Sequence, residues 1–204
     1  MAADLAELMS RVGMPTAVVV GSSLGGGIAI DVALERPEVV RGLVLAGAWI
    51  RGREQSAEAQ RADAEIDALV ERGDLEGAVE AELRLWLDGP SRPAGSVAGP
   101  VRDYVRDADR ANQRRAEGWK LVKSVRSGPP PLERLEEITA PTLVVVGDHD
   151  LPDLVDCARE LADRIPSAEL VVMHGTAHLP SLEQPAAFTA HLTRFLERLD
   201  DVGR

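Results

Sequence analysis

Four short apolar runs limit most strongly what this chain can fold into. They cover residues 17–20, 39–45, 142–146 and 170–173, and none of them alternates regularly between polar and apolar positions. Such runs are typical of strands whose two faces are both buried, as in a parallel sheet covered by helices. Amphipathic helical patterns lie before, between and after these runs. The sequence therefore predicts an α/β fold with a mostly parallel sheet and helices on both faces.

The middle of the chain, residues 51–138, is different in character. It is rich in charge, lacks a β-branched run and carries a helical stripe formed by Leu75, Val79, Leu83 and Trp86. We predict a helical insertion there, with residues 1–50 and 139–204 forming the α/β core. Three of its aromatic residues could line an apolar substrate-binding cavity or fill a small helical core, which is their commoner role: Trp86, Tyr104 and Trp119.

Composition narrows the possible partners and location. The 204 residues suffice for one substantial core, and a net charge of −11 argues against a nucleic-acid partner. The single cysteine, Cys157, excludes an internal disulfide and a cysteine-based zinc site. No apolar run approaches the roughly 18 residues of a membrane helix, and the N-terminal residues lack the pattern of a signal peptide. We expect a cytoplasmic protein without a membrane or nucleic-acid partner.

One short motif between the first run and a helical pattern indicates chemistry. Gly21-Ser22-Ser23-Leu24-Gly25 matches Gly-x-Ser-x-Gly, which is meaningful in a strand-turn-helix context. Ser23 would lie on a sharp turn, and we expect Gly21 and Gly25 to be small because larger residues would crowd each other. The Leu24 N–H could then donate to an oxyanion. The alternative is a glycine-rich turn that is inert or binds phosphate.

A serine nucleophile needs a base, and the base needs a carboxylate that orients it. His178 follows the last apolar run and is the favoured base, whereas three other histidines have ordinary structural explanations: His149, His174 and His191. Three carboxylates follow the third run: Asp148, Asp150 and Asp153. We favour Asp150; the other two could be turn or helix-capping groups, and the cluster with His149 could instead bind a metal.

Three separated blocks, residues 18–27, 141–150 and 175–185, together resemble the α/β-hydrolase family. The resemblance implies Ser23 as nucleophile, Asp150 as acid, His178 as base and a helical cap at residues 51–138. A serine in place of aspartate at this turn resembles the branches of esterases, lactonases and C–C bond hydrolases. Among these, the chain is most similar to enol-lactonases and small carboxylesterases. The resemblance implies a serine hydrolase that cleaves a small carboxylic ester or lactone through an acyl-enzyme, with no cofactor and no metal.

The resemblance begins partway through the fold. Family members usually have about four more strands ahead of the serine turn, so we expect a partial α/β-hydrolase fold and a truncated reading frame. The strand from Ala17 to Val20 would then be an exposed sheet edge through which the chain could self-associate. A second donor to the oxyanion would also be missing. Two alternatives remain: a noncatalytic fragment or ligand-binding relative, and an acyltransferase that uses the same three residues.

Overall fold

The computed structural model describes residues 2–119 and 128–202 and contains one parallel sheet. Its strands pair in chain order β1-β2-β3-β4, and every pairing is parallel. The strands are β1 (Ala17–Ser22), β2 (Val40–Ala46), β3 (Thr142–Gly147) and β4 (Ala168–Met173). Val39 belongs to a short helical turn that begins at Pro37, so β2 begins one residue later than predicted. The predicted α/β class is confirmed.

The described residues also form eight α-helices. They are α1 (Ala2–Arg11), α2 (Leu24–Glu35), α3 (Ala57–Glu71), α4 (Leu75–Glu82), α5 (Pro100–Trp119), α6 (Pro152–Arg164), α7 (Pro180–Glu183) and α8 (Pro185–Val202). A π-helical turn, Leu83–Asp88, continues α4. The segment between β2 and β3 holds α3, α4, the π-turn and α5, and we refer to it as the cap. No helix in the described ranges combines the length and apolar character that crossing a membrane requires.

Both faces of the sheet are buried, which explains why its strands are continuously apolar. Leu43 and Leu45 of β2 pack in the larger cluster with residues of α1, α2 and α6. Val44, between them, packs on the opposite face against Phe195 of α8. Alternation along the two central strands therefore directs their apolar side chains into two cores, one on each face of the sheet.

Strand β1 lies at one edge of the sheet formed by the described strands. Val20 on this strand is 55% exposed, although its neighbour β2 is almost completely buried. Further large apolar side chains are exposed in α1, in the loop after it and at the start of α2: Leu8, Val12, Met14 and Leu24. The edge expected from the sequence is therefore present, with unpaired backbone groups on its outer side.

Candidate active site

Ser23 lies between β1 and α2 in a conformation that L-residues rarely adopt. Its φ is +51° and its ψ −119°, and among the described residues it is the only one other than glycine with a positive φ. The strained turn is fixed by hydrogen bonds: Ser23 N–H donates to Ala46 O at 2.9 Å, and Gly26 N–H donates to Ser23 O at 3.0 Å. Strain of this kind persists only where the surroundings impose it, and it is concentrated at functional sites.

The glycines around Ser23 do not share the role expected of them. A Cβ on Gly21 would lie 2.3 Å from Gly25 O, so no side chain fits there. A Cβ on Gly25 would meet nothing within 4 Å, whereas one on Gly26 would lie 2.4 Å from the Ala48 Cβ. The expectation for Gly25 was therefore wrong, because the turn brings the backbone of Gly25, and not its Cβ position, against Gly21.

His178 and Asp150 form a buried pair at the ends of neighbouring strands. His178 Nδ1 lies 2.9 Å from Asp150 Oδ2, and both residues are at least 95% buried. The second oxygen of Asp150 accepts from Leu151 N–H at 2.8 Å, so both oxygens of the carboxylate are hydrogen-bonded. A carboxylate at Nδ1 leaves Nε2 of the same ring as the atom available for proton transfer.

The other two candidate carboxylates have structural partners elsewhere. Asp148 accepts from Gly175 N–H at 2.8 Å and contacts His174, and these interactions lower its pKa although burial opposes them. Asp153 in the first turn of α6 accepts from Ser56 N–H at 2.8 Å, which ties the start of α3 to the core. Within the described ranges, no group of three or more His, Cys, Asp or Glu side chains is arranged to hold a metal ion.

The imidazole of His178 is enclosed by the π-turn and by the end of β2. Trp86 O accepts from His178 N–H at 3.1 Å, and the two aromatic rings lie 4.7 Å apart between centroids. Gly47, directly after β2, has a φ of +53°, and a Cβ there would lie 2.9 Å from the imidazole of His178. The extra residue of a π-turn re-aims nearby side chains and is frequent at functional sites.

A buried ion pair joins the cap to the loop that carries His178. The Arg92 guanidinium donates to Glu183 at 2.9 Å, to Gly175 O at 2.8 Å and to Leu87 O at 2.7 Å. Glu183 in turn accepts from Ala177 N–H, also at 2.8 Å. The end of the π-turn and the histidine loop are therefore fixed to each other through one arginine and one glutamate.

A cavity of about 420 Å³ lies under the cap, a size suited to a small ligand. Four of the residues predicted for the site line it: Ser23, His178, Trp86 and Tyr104. Tyr104 is 64% exposed, so it lines the cavity mouth and does not fill a core. The side chain of Trp119 lies outside the described part of the chain.

Ser23 and His178 share the cavity but are not hydrogen-bonded to each other in this state. The Ser23 hydroxyl has no hydrogen-bond partner among the described residues. Leu24, the predicted oxyanion donor, is the first residue of α2, and its side chain is 63% exposed. The structure thus joins Asp150 to His178 and places Ser23 in the same cavity.

Sequence reasoning missed two acidic residues of the cap that also line this cavity, Glu82 and Asp109. Burial raises the pKa of Glu82 to about 7, and the negative charges of Asp109 and Asp63 act in the same direction. Burial also raises the pKa of Asp109. In the sequence both residues resemble the many charged positions of solvent-exposed helices, so no local signal distinguishes them.

Comparison with known proteins decides the family. The sequence model of the alpha/beta hydrolase family matches residues 1–191. The chain belongs to the alpha/beta hydrolase family. One relative is a RutD protein of Rhizobium rhizogenes, assigned to carbamate hydrolysis, with 32% identity over 99% of this chain and 75% of its own.

Solved structures of the family agree with this assignment. A hydrolase from Pseudomonas aeruginosa has 28% identity and a TM-score of 0.74, with 96% of this chain and 70% of the other covered. Est816, described as an enzyme that degrades N-acyl homoserine lactones, has 26% identity and a TM-score of 0.70, with coverage of 95% and 73%. These relatives are hydrolases, and membership of the family supports hydrolysis as the reaction class of this chain.

Proposed function

We propose that this chain is a serine hydrolase that cleaves a small carboxylic ester or lactone through an acyl-enzyme. The observation that carries the proposal is the buried hydrogen bond from His178 Nδ1 to Asp150, together with the cavity that His178 and Ser23 both line. A strained serine between a strand and a helix, a histidine and an orienting carboxylate are the three groups that nucleophilic acyl transfer requires. The esterases and lactonases of the same family support this choice of substrate.

In the proposed first step, the Ser23 oxygen attacks the substrate carbonyl carbon while its proton passes to His178 Nε2. The tetrahedral intermediate collapses, the bond to the leaving alcohol breaks, and the proton moves from His178 to that alcohol. Asp150 fixes the tautomer of His178 and stabilises its positive charge. A water molecule then attacks the acyl carbonyl, gives one proton to His178 and releases the carboxylic acid as the proton returns to Ser23.

The negative charge on the carbonyl oxygen must be stabilised during both steps. Leu24 N–H is the proposed donor, since it lies in the first turn of α2, where backbone N–H groups lack acceptors within the helix. The positive end of the helix dipole adds to this stabilisation. Loss of one such donor in a well-studied protease costs roughly 100- to 1,000-fold in rate, so this single N–H would be important.

Labelling with a fluorophosphonate probe tests the proposal most directly. We expect stoichiometric labelling of the full chain, and peptide mass spectrometry should place the label on Ser23 and not on Ser22. Ser23→Ala should abolish both labelling and hydrolysis of p-nitrophenyl acetate. Ser10→Ala on the exposed side of α1 is the matched control and should change neither.

The alternative is a ligand-binding relative that keeps these residues without turnover. The observation in its favour is that the Ser23 hydroxyl makes no hydrogen bond to His178. A folded chain that binds p-nitrophenyl esters without labelling or release of nitrophenol would support this alternative. Hydrolysis that survives in Ser23→Ala would contradict the proposed mechanism.

A further inference from the structure

The cap side of the cavity contains two carboxyl groups that the proposed reaction does not use. Glu82 at the end of α4 and Asp109 in α5 line the same cavity as Ser23 and His178. The remaining described lining residues are apolar, aromatic, hydroxyl or amide in type, and none of them is lysine or arginine. The cavity therefore combines an apolar wall with two acidic groups and no fixed positive charge from the described part of the chain.

Asp109 has an oxygen that is completely buried and unpartnered. Its Oδ2 makes no hydrogen bond in the described structure. Glu82 interacts with Asp109 through charge, and its side-chain hydrogen bond is with Trp86. A buried acceptor that has lost water without gaining a donor is costly, and native structures rarely keep one without a reason. A ligand donor in the cavity would remove this cost if the Asp109 carboxyl group turned this oxygen toward it.

Other acidic residues of α4 and α5 are paired with arginine side chains. Arg102 and Arg106 both donate to Glu80, and Arg110 donates to Glu76 and Asp107. These guanidinium groups are therefore committed to carboxylates other than Glu82 and Asp109. The cap pairs its outer carboxylates internally and leaves the two that line the cavity without a cation.

We propose that Glu82 and Asp109 form a subsite for a primary ammonium group, and that the substrate is a small ester or lactone with an amine-bearing aliphatic chain. An ammonium group offers three donors to the two carboxyl groups, and the apolar lining accommodates the chain that joins it to the reacting carbonyl. The assignment of the amine to a substrate rests on the proposed function. The binding of an ammonium group itself does not.

Binding to the intact, catalytically inactive chain tests the subsite without turnover. Hexylammonium and 1-hexanol have the same apolar chain and differ in the head group, so calorimetric titration of Ser23→Ala with each isolates the contribution of the charge. At a pH above 7, where Glu82 is ionised, we expect hexylammonium to bind at least about tenfold more tightly. The preference should weaken at a pH below 7.

Two isosteric variants and one control locate the effect. Asp109→Asn and Glu82→Gln should each reduce the preference for hexylammonium, and the double variant should remove it. Asp107→Asn makes the same change on the exposed side of α5, where Asp107 pairs with Arg110, and should leave the preference intact. Circular dichroism checks that each variant is folded.

Equal affinity for hexylammonium and 1-hexanol in the Ser23→Ala chain would overturn the proposal. A preference that survives in the double variant would overturn it as well, because the charge would then be recognised elsewhere. The titratable groups facing Glu82 are Asp63, Asp109 and His178, so Glu82→Gln should weaken the pH dependence near pH 7 without removing what these groups contribute. An unchanged pH dependence in Glu82→Gln would count against the role of Glu82. Failure of the fluorophosphonate test would refute the serine mechanism and leave this binding result unaffected.

Discussion

Gly47 lies directly against the imidazole of His178: a Cβ on Gly47 would be 2.9 Å from the ring and 3.3 Å from Asp150 Oδ2. No side chain fits this position unless His178 or Asp150 moves. We predict that Gly47→Ala reduces kcat/KM for p-nitrophenyl acetate by at least about tenfold, because displacement of a catalytic group by a fraction of an ångström misaligns proton transfer.

Gly73 provides the matched control for this substitution. It also has a positive φ, +78°, but a Cβ there would meet nothing within 4 Å. Gly73→Ala should therefore introduce backbone strain without a steric clash. We expect it to lower the free energy of unfolding and to leave kcat/KM unchanged. If both variants lose activity equally, the contact between Gly47 and His178 has no functional importance.

Substitution of each candidate carboxylate separates their roles. Asp150→Asn keeps the shape of the side chain but favours the wrong tautomer of His178. If the proposed mechanism holds, we expect kcat to fall by about 10⁴-fold, the loss that the same change causes in a serine protease. Asp148→Asn alters contacts with Gly175, His174 and His149, and Asp153→Asn alters the contact with Ser56, so both variants should retain most of the activity. A larger loss of kcat in either control than in Asp150→Asn would refute the assignment.

Removal of Arg92 should destabilise the chain. The side chains of Arg92 and Glu183 are 14% and 4% exposed, so Arg92→Met leaves a buried carboxylate without its cation. We expect the free energy of unfolding in urea to fall by about 3–5 kcal/mol. Arg134→Met is the control, because its partner Glu137 is 56% exposed, and ion pairs on the surface contribute little to stability. Equal losses would contradict the special role of the buried pair.

The raised pKa of Glu82 gives a pH dependence with a definite sign. The folded state binds the Glu82 proton more tightly than the unfolded state. The contribution of this proton to the free energy of unfolding is therefore complete below about pH 4.5 and is lost as the pH rises through about 7. Glu82→Gln does not titrate. Its stability relative to the unsubstituted chain should therefore increase by roughly 1 kcal/mol or more between about pH 5 and pH 8.

Urea unfolding at several pH values checks this prediction. Glu137→Gln serves as the control, because Arg134 lowers the pKa of Glu137 and so moves its titration away from this range. The difference between that variant and the unsubstituted chain should stay constant from about pH 5 to pH 8. A constant difference for Glu82→Gln as well would show that Glu82 titrates normally.

The exposed edge strand predicts self-association with a second copy of the chain. Val20 is 55% exposed on β1, and the outer side of that strand has no pairing partner among the described residues. We expect sedimentation velocity to show concentration-dependent association, which Val20→Lys should weaken. Val70→Lys on α3, where Val70 is 37% exposed, is the control and should have no effect. A strictly monomeric chain would refute this prediction.

Local pattern was sufficient to predict the sheet and the serine turn. Continuous apolar runs occur where both faces of a strand are buried, and this signal gave the four strands to within a few residues. The turn at Ser23 could be predicted because its constraint is local: the backbone conformation and the close approach at Gly21 involve residues adjacent in sequence. Gly25 was misjudged because its Cβ position faces open space, whereas its backbone lies against Gly21 and the neighbouring Gly26 lies against Ala48.

The sequence by itself therefore determined the α/β class, the candidate nucleophile and a short choice of partner residues. Only the tertiary structure decided which carboxylate contacts His178. Asp148, Asp150 and Asp153 lie within a few residues of each other in the sequence, but each has a different hydrogen-bond partner in the fold. It alone brought Glu82 and Asp109 into the cavity. The physical reason is that burial and loss of water depend on contacts between elements distant in the chain, whereas periodicity reports only on neighbours along it.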